Sequence, residues 1–384
     1  MSAGVEWTLA VQEAEAAVVS APCRRDARCV LRALWVLVYA GELVAADAVT
    51  GVAAEVAARG DQHVADQFGL VRAYSALLCG GLDRAWELSR HVLEGTAGND
   101  ARLGATAVGV RVRLGRGAVD QARSMAWRAG LAAGAATDSR YRPLLFDALG
   151  ALAMADGDFD AAERAFLACG RELADRGIVN PAILRWQGQA ALAAHAAGRS
   201  EAARRTAHDA HAAAACWGSL RALGQATLVS ATVAAGGPDP GLLADAVELL
   251  EPSWAPADLA EARLLLGSRH ADAGEDGKAR RELARARVQF EALRNVPRVD
   301  RIDATLRRLR TTERPALTDR ELEAAQLAYA DCTNKEIAAR LFVSVRTVEY
   351  TLSRVYDKLG VPGRDGLADV IGDLPLRPVT VPGH

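Results

Sequence analysis

A glycine followed by a polar stretch and then an alanine recurs along most of this chain, and its spacing limits what the chain can fold into. The motif stands at Gly41-Glu42-Leu43-Val44-Ala45, Gly81-Leu82-Asp83-Arg84-Ala85, Gly157-Asp158-Phe159-Asp160-Ala161 and Gly198-Arg199-Ser200-Glu201-Ala202. Looser copies begin at Gly117, Gly237 and Gly274, and successive glycines lie 36 to 41 residues apart. A period of that size marks stacked supersecondary units. The glycine suits a turn, where a positive φ costs it nothing. The alanine lets the helix after the turn lie close to the helix before it. With 82 Ala and five Ile, the composition favours helix over sheet. The expected fold class is all-α: helix pairs that stack into a superhelix with an inner groove. An irregular helical bundle is the alternative.

The pattern is similar to tetratricopeptide-type repeats, with a longer period. It covers residues 1–310, which read as a sensor or interaction domain. Residues 274–309 form its last pair, with Pro297 as an interruption and a further helix over Val299–Leu309. From 278 to 314 there are twelve Lys or Arg against five Asp or Glu. Such a run is either a solvated face or a support for nearby phosphates. Residues 311–316 read as a linker, and 373–384, with Pro375, Pro378 and Pro382, as a disordered tail.

The formal net charge is −2. It excludes a uniformly basic chain but not a small nucleic-acid reader within a larger one. No apolar run is long enough to span a bilayer, and no signal-peptide pattern opens the chain. A cytoplasmic protein without a membrane partner is expected. Cys23, Cys29, Cys79, Cys169, Cys216 and Cys332 show no CxxC pair or metal spacing, so buried apolar thiols are expected rather than disulfides. His208 and His211 near Cys216 read as exposed side chains of an Ala-rich helix in preference to a metal site. No G-x-S-x-G or HExxH occurs. The expectation is no enzyme, no cofactor and no metal.

Residues 317–372 carry the sharpest local signals. Thr318-Asp319-Arg320-Glu321 and Thr333-Asn334-Lys335-Glu336 are capping boxes, each opening a helix. The first helix runs to about Ala330 and the second through Leu341. Phe342-Val343 makes a tight turn, and Ser344 caps a third helix from Val345 to Leu359 that Gly360 ends. Arg364–Ile371 forms a fourth. Two helices across a short turn, the second long and polar on one side, make a helix-turn-helix. In the third helix Val348, Leu352, Val355 and Leu359 form one inward stripe. At about 100° per residue, the opposite face carries Arg346, Tyr350, Ser353 and Asp357, flanked by Glu349 and Arg354.

The residues Leu317-Thr318, Arg320-Glu321, Asn334-Lys335-Glu336-Ile337-Ala338, Leu341, Ser344, Arg346-Thr347-Val348-Glu349, Lys358-Leu359-Gly360-Val361 and Arg364 strongly resemble the LuxR-type family of bacterial transcription factors. The resemblance implies a four-helix DNA-binding domain over 317–372. Thr333, Asn334, Lys335, Arg346 and Thr347 would contact phosphates. Glu349, Tyr350, Ser353 and Arg354 would face base edges in the major groove. Leu367, Val370 and Ile371 would serve dimerisation. The partners implied are double-stranded DNA and a second copy of the chain. RNA polymerase is a further partner it allows, and the repeat superhelix would take a small-molecule or protein ligand. Departures from the family pattern are Asp331 for a usual Gly, Ala324 and Ala325 for larger apolar residues, and Thr351 where His is common.

Residues 284–293 and Arg346-Thr347-Val348-Glu349-Tyr350 resemble the large ATP-binding LuxR regulators, which begin with a P-loop ATPase. Here no G-x-x-x-x-G-K-[ST] occurs, since Gly277-Lys278 leads into Ala279. A short form or a fragment of that architecture is expected. From 317 to 373 there are seven Lys or Arg against ten Asp or Glu. That acidity motivates an alternative: a helical-repeat scaffold or antagonist that uses its LuxR-like domain for protein contacts.

Overall fold

The computed structural model describes residues 3–49, 62–95, 97–134, 139–313, 317–359, 361 and 363–367. Two compact units divide the chain, Met1–Thr305 and Leu306–His384. The described residues are helical, with no strand among them.

The first unit begins with α1 (Ala3–Val19), α2 (Ala21–Arg25), α3 (Ala27–Ala40) and α4, described over 43–49. Then follow α5 (Gln62–Leu78), α6 (Leu82–Glu94), α7 (Asn99–Gly115), α8 (Val119–Arg128), α9 (Leu131–Gly134), α10 (Arg142–Asp156) and α11 (Phe159–Asp175). The remaining helices are α12 (Trp186–Ala196), α13 (Ser200–Trp217), α14 (Leu220–Thr232), α15 (Pro240–Leu250), α16 (Pro256–Asp272), α17 (Asp276–Ala292) and α18 (Val296–Glu313), the last running on past Thr305.

The repeat motif has a clear physical meaning in this unit. Gly41, Gly117, Gly157, Gly198, Gly237 and Gly274 all take positive φ in the turns. In the second copy the position moves by one, because Gly80 takes φ +75° while Gly81 caps α6 with φ −76°. Five residues after Gly41, Gly80, Gly117, Gly157, Gly198 and Gly274 stand Ala46, Ala85, Ala122, Ala162, Ala203 and Ala279, each fully buried. Larger residues continue the stripe one turn on, as Phe166 does after Ala162 and Leu283 after Ala279. The Gly237 copy departs, its buried alanine being Ala246. Small residues on the facing helix admit these side chains. A Cβ on Gly150 would lie 2.7 Å from Phe166, and one on Gly170 would lie 2.6 Å from Trp186.

Early and late repeats also touch directly. The Tyr74 hydroxyl donates to the Ile183 carbonyl (2.9 Å), Asn180 Nδ2 to that of Tyr39 (2.8 Å) and Asn295 Nδ2 to that of Gly115 (2.8 Å). Arg294 pairs with Asp83 at 2.9 Å. The expected inner groove is therefore closed over part of its length. Gly80 sits at this closure, where a Cβ would lie 2.6 Å from Pro256. Gly80→Ala is expected to cost about 2–4 kcal/mol, left-handed strain plus overpacking. Gly157→Ala, with the same sign of φ but open space around it, is expected to cost about 1–2 kcal/mol. Denaturant unfolding of both variants checks the difference.

Four expectations change. Cys23 and Cys29 form a disulfide with Cα atoms 5.4 Å apart. Asp26 both ends α2 and caps α3, and this sharp reversal brings together two cysteines whose spacing has no sequence signature. Cys169 is buried as expected, whereas Cys216 is exposed. Pro297 does not interrupt its helix but stands in the first turn of α18, where no N–H is needed. Residues 311–313 are the end of α18, and 314–316 lie outside the described residues. The tail 373–384 also lies outside them. Among the described residues no His, Cys, Asp and Glu cluster is placed to hold a metal, and no helix is long and apolar enough to cross a membrane.

Candidate nucleic-acid interface

After the end of α18, the described residues of the second unit form α19 (Asp319–Tyr329), α20 (Asn334–Leu341) and α21 (Val345–Leu359). Both capping boxes form. Thr318 Oγ1 accepts from the Glu321 N–H (3.3 Å), and the Thr318 N–H donates to Glu321 Oε2 (2.8 Å). Thr333 and Glu336 repeat the exchange at 3.3 and 2.7 Å. Ser344 Oγ accepts from the Thr347 N–H at 3.1 Å and so starts α21. Asp331 takes φ +58°, the left-handed turn that its short polar side chain tolerates. Phe342 takes φ +55° between α20 and α21.

The stripe Val348, Leu352, Val355 and Leu359 is buried against Ala324, Ala325, Leu327, Ala328, Ile337 and Ala338. That packing turns the other face of α21 outward. Arg346, Thr347, Glu349, Tyr350, Ser353, Arg354 and Asp357 are exposed, and Thr351 is half-buried. Leu367 is buried in the same core, within a short 3-10 turn over Arg364–Leu367. Val370 and Ile371, the other two expected dimerisation residues, lie outside the described residues.

Several expected contact residues have structural duties. The Thr333 hydroxyl is occupied by its cap. Asn334 Oδ1 accepts from Arg364 at 3.1 Å, and Arg364 also donates to the Cys332 carbonyl at 2.8 Å. This fork fixes the start of α20, a role the sequence motif alone did not assign to Arg364. Arg354 leans back, 3.8 Å from Glu321 Oε1 and over the Tyr350 ring at 5.9 Å. Lys335 and Arg346 are exposed and enter no ion pair among the described residues. Each stands in the first turn of its helix, Lys335 in α20 and Arg346 in α21.

Glu321 is the electrostatic centre of the unit, only 5% exposed. The Lys358 ammonium and the Thr318 N–H and hydroxyl hold its carboxyl down at about 2, from 4.5. A depressed value stabilises the fold above 4.5, and the contribution is lost as pH falls toward 2. Glu321→Gln is expected to lower the Tm at neutral pH and to flatten its fall across that window. Calorimetry of both proteins between pH 2 and pH 7 reads this out; parallel pH curves would contradict it.

The basic run before this unit is largely spent. Arg287 pairs with Asp303 at 2.6 Å and Glu291 at 2.8 Å, and Arg298 pairs with Glu261 at 3.1 Å. Lys278 and Arg285 also face carboxylates, Glu275 and Glu282.

The described helices α20 and α21 form a helix-turn-helix whose second helix turns an exposed polar face outward. Residues 315–371 match the profile of the GerE family, described as bacterial regulatory proteins, luxR family. The chain is 49% identical to the spore germination protein GerE of Bacillus subtilis over 51 residues, 13% of this chain and 69% of that protein. It is 48% identical over 54 residues to an HTH-type transcriptional regulator of Mycobacterium tuberculosis, covering 14% of this chain and only 6% of that regulator. This chain belongs to the luxR family of bacterial regulatory proteins.

A solved structure of Rap protein complexed with competence and sporulation factor superposes with a TM-score of 0.56 at 11% identity. It covers 90% of this chain and 99% of the Rap chain. The likeness is one of fold: both are built from tetratricopeptide-like helical repeats.

Proposed function

We propose that this chain is a transcriptional regulator that binds double-stranded DNA as a homodimer and whose repeat unit senses a small molecule or a protein. The observation that carries the reading is the face of α21 opposite its buried stripe, where Arg346, Glu349, Tyr350 and Ser353 stand exposed. Lys335 and Arg346 would meet phosphates, with Thr333, Asn334 and Thr347 beside them at helix starts. Glu349, Tyr350, Ser353 and Arg354 would meet base edges, Arg354 after leaving Glu321. Val370 and Ile371 would join two copies, placing two α21 helices about one DNA turn apart, whereas Leu367 is spent on the domain's own core. The repeat unit would end near 310 and the reader would begin at 317. The Rap likeness supports a binding scaffold rather than a catalyst in the first unit.

A salt-dependent mobility-shift assay on promoter DNA from the chain's own locus tests this. Binding whose affinity falls steeply with salt is expected. A folded dimer that binds no DNA would favour the scaffold or antagonist reading, which the acidic excess of residues 317–373 motivates.

A further inference from the structure

The closure of the repeat unit leaves an open-mouthed cavity of about 290 Å³. Its polar wall holds Arg111, Arg185 and Arg221 against Asp147 and Asp258. Arg111 lies 3.3 Å from Asp147. Arg185 pairs with Asp258, which also accepts from Gln225 Nε2 at 2.7 Å. Arg221 is the remainder. It is 7% exposed, donates to the carbonyls of Trp254 (2.8 Å) and Leu78 (3.3 Å), and has no carboxylate within ion-pair distance among the described residues. A buried cation balanced only by main-chain carbonyls is costly. Burial pulls its guanidinium below the ordinary arginine range, and the field of Asp258 only partly restores it. The other wall is apolar, with Leu77, Leu114 and Leu293. The volume lies at the lower end of the range for small-molecule sites.

We infer that this cavity binds a small organic monoanion, its carboxylate or phosphate received by Arg221 and its apolar body by Leu77, Leu114 and Leu293. One negative charge balances the three guanidinium groups against the two carboxylates. A guanidinium fork suits either acid group. The occupant would also brace the closure, since Arg221 already joins the end of α5 to the turn after α15. The inference rests on the sensing role proposed above and names the class of signal.

The test uses the full chain and titration calorimetry with octanoate, octyl phosphate, octanamide and octylammonium. One anion per chain is expected to bind, at least about tenfold more tightly than octanamide or octylammonium. The two anions distinguish carboxylate from phosphate. Arg221→Met is expected to abolish the preference and Arg221→Lys to keep it. Because Arg221→Met strands two carbonyls, Ala257→Leu serves as the second variant. It fills the cavity rim, leaves the Arg221 bonds in place and is expected to abolish binding. Equal binding of octanoate and octanamide, binding that survives Ala257→Leu, or no binding of either anion at millimolar concentration overturns the site. Anion binding without any change in DNA affinity keeps the site and removes the sensing role. A DNA affinity that responds to a protein, with neither anion bound, does the reverse.

Discussion

Lys335→Ala and Arg346→Ala are each expected to weaken DNA binding about tenfold, or about 1.4 kcal/mol. Both cations are exposed and unspent on ion pairs, one in the first turn of α20 and the other in the first turn of α21. A phosphate contact carries no sequence information. The loss is therefore expected to be equal on specific and random duplexes, with the salt slope lowered by about one per replacement. Glu349→Ala is expected to behave differently, changing the preference among sequences and leaving the salt slope alone. Affinity of the double variant that matches the wild type at every salt concentration would remove Lys335 and Arg346 from the interface.

Leu352→Ala is expected to destabilise the second unit by about 2–5 kcal/mol. Leu352 is 3% exposed in a core whose α19 side is thinned by Ala324 and Ala325. Few neighbours there can move to fill the space it leaves, and a loss of that size is a large share of a small unit's stability. Tyr350, two residues earlier on the same helix, is 65% exposed. Tyr350→Ala is expected to change stability by less than about 0.5 kcal/mol while still weakening DNA binding. Denaturant unfolding and DNA affinity, measured on both variants, separate packing from recognition on one helix. A Leu352→Ala protein as stable as the wild type would show that the stripe does not face the core.

Local signals in the sequence were sufficient for α19, α20 and α21 and for the inward and outward faces of α21, but not for the expected fourth helix, whose described part is a 3-10 turn over Arg364–Leu367. Capping boxes, turn glycines and the Val348 stripe act within a few residues, so spacing alone reveals them. The second copy of the repeat is shifted by one because Gly80 and Gly81 are adjacent and Gly80, which also faces Pro256, takes the left-handed turn. The pairing of Arg354 with Glu321 and the hold of Arg364 on Asn334 join residues about thirty apart, beyond any helical period. The Cys23–Cys29 bridge depends on the Asp26 reversal, which has no periodic mark. The cavity around Arg221 is the extreme case. Its walls come from segments as far apart as Tyr74 and Leu293, so each residue by itself reads as an ordinary helix-face charge or core leucine.

The bonds that close the repeat unit also govern how it is made. In an open solenoid each repeat touches only its neighbours, so folding starts anywhere and shortened arrays survive. Here Leu78 waits for Arg221 and Gly115 for Asn295, residues 143 and 180 positions later in the chain. On the ribosome the early helices emerge well before their distant partners and stay incompletely held until those arrive. Such long-range pairing slows folding and makes it more nearly all-or-none. Removing the last repeat would thus loosen the first ones, and the unit would respond to truncation as one cooperative body.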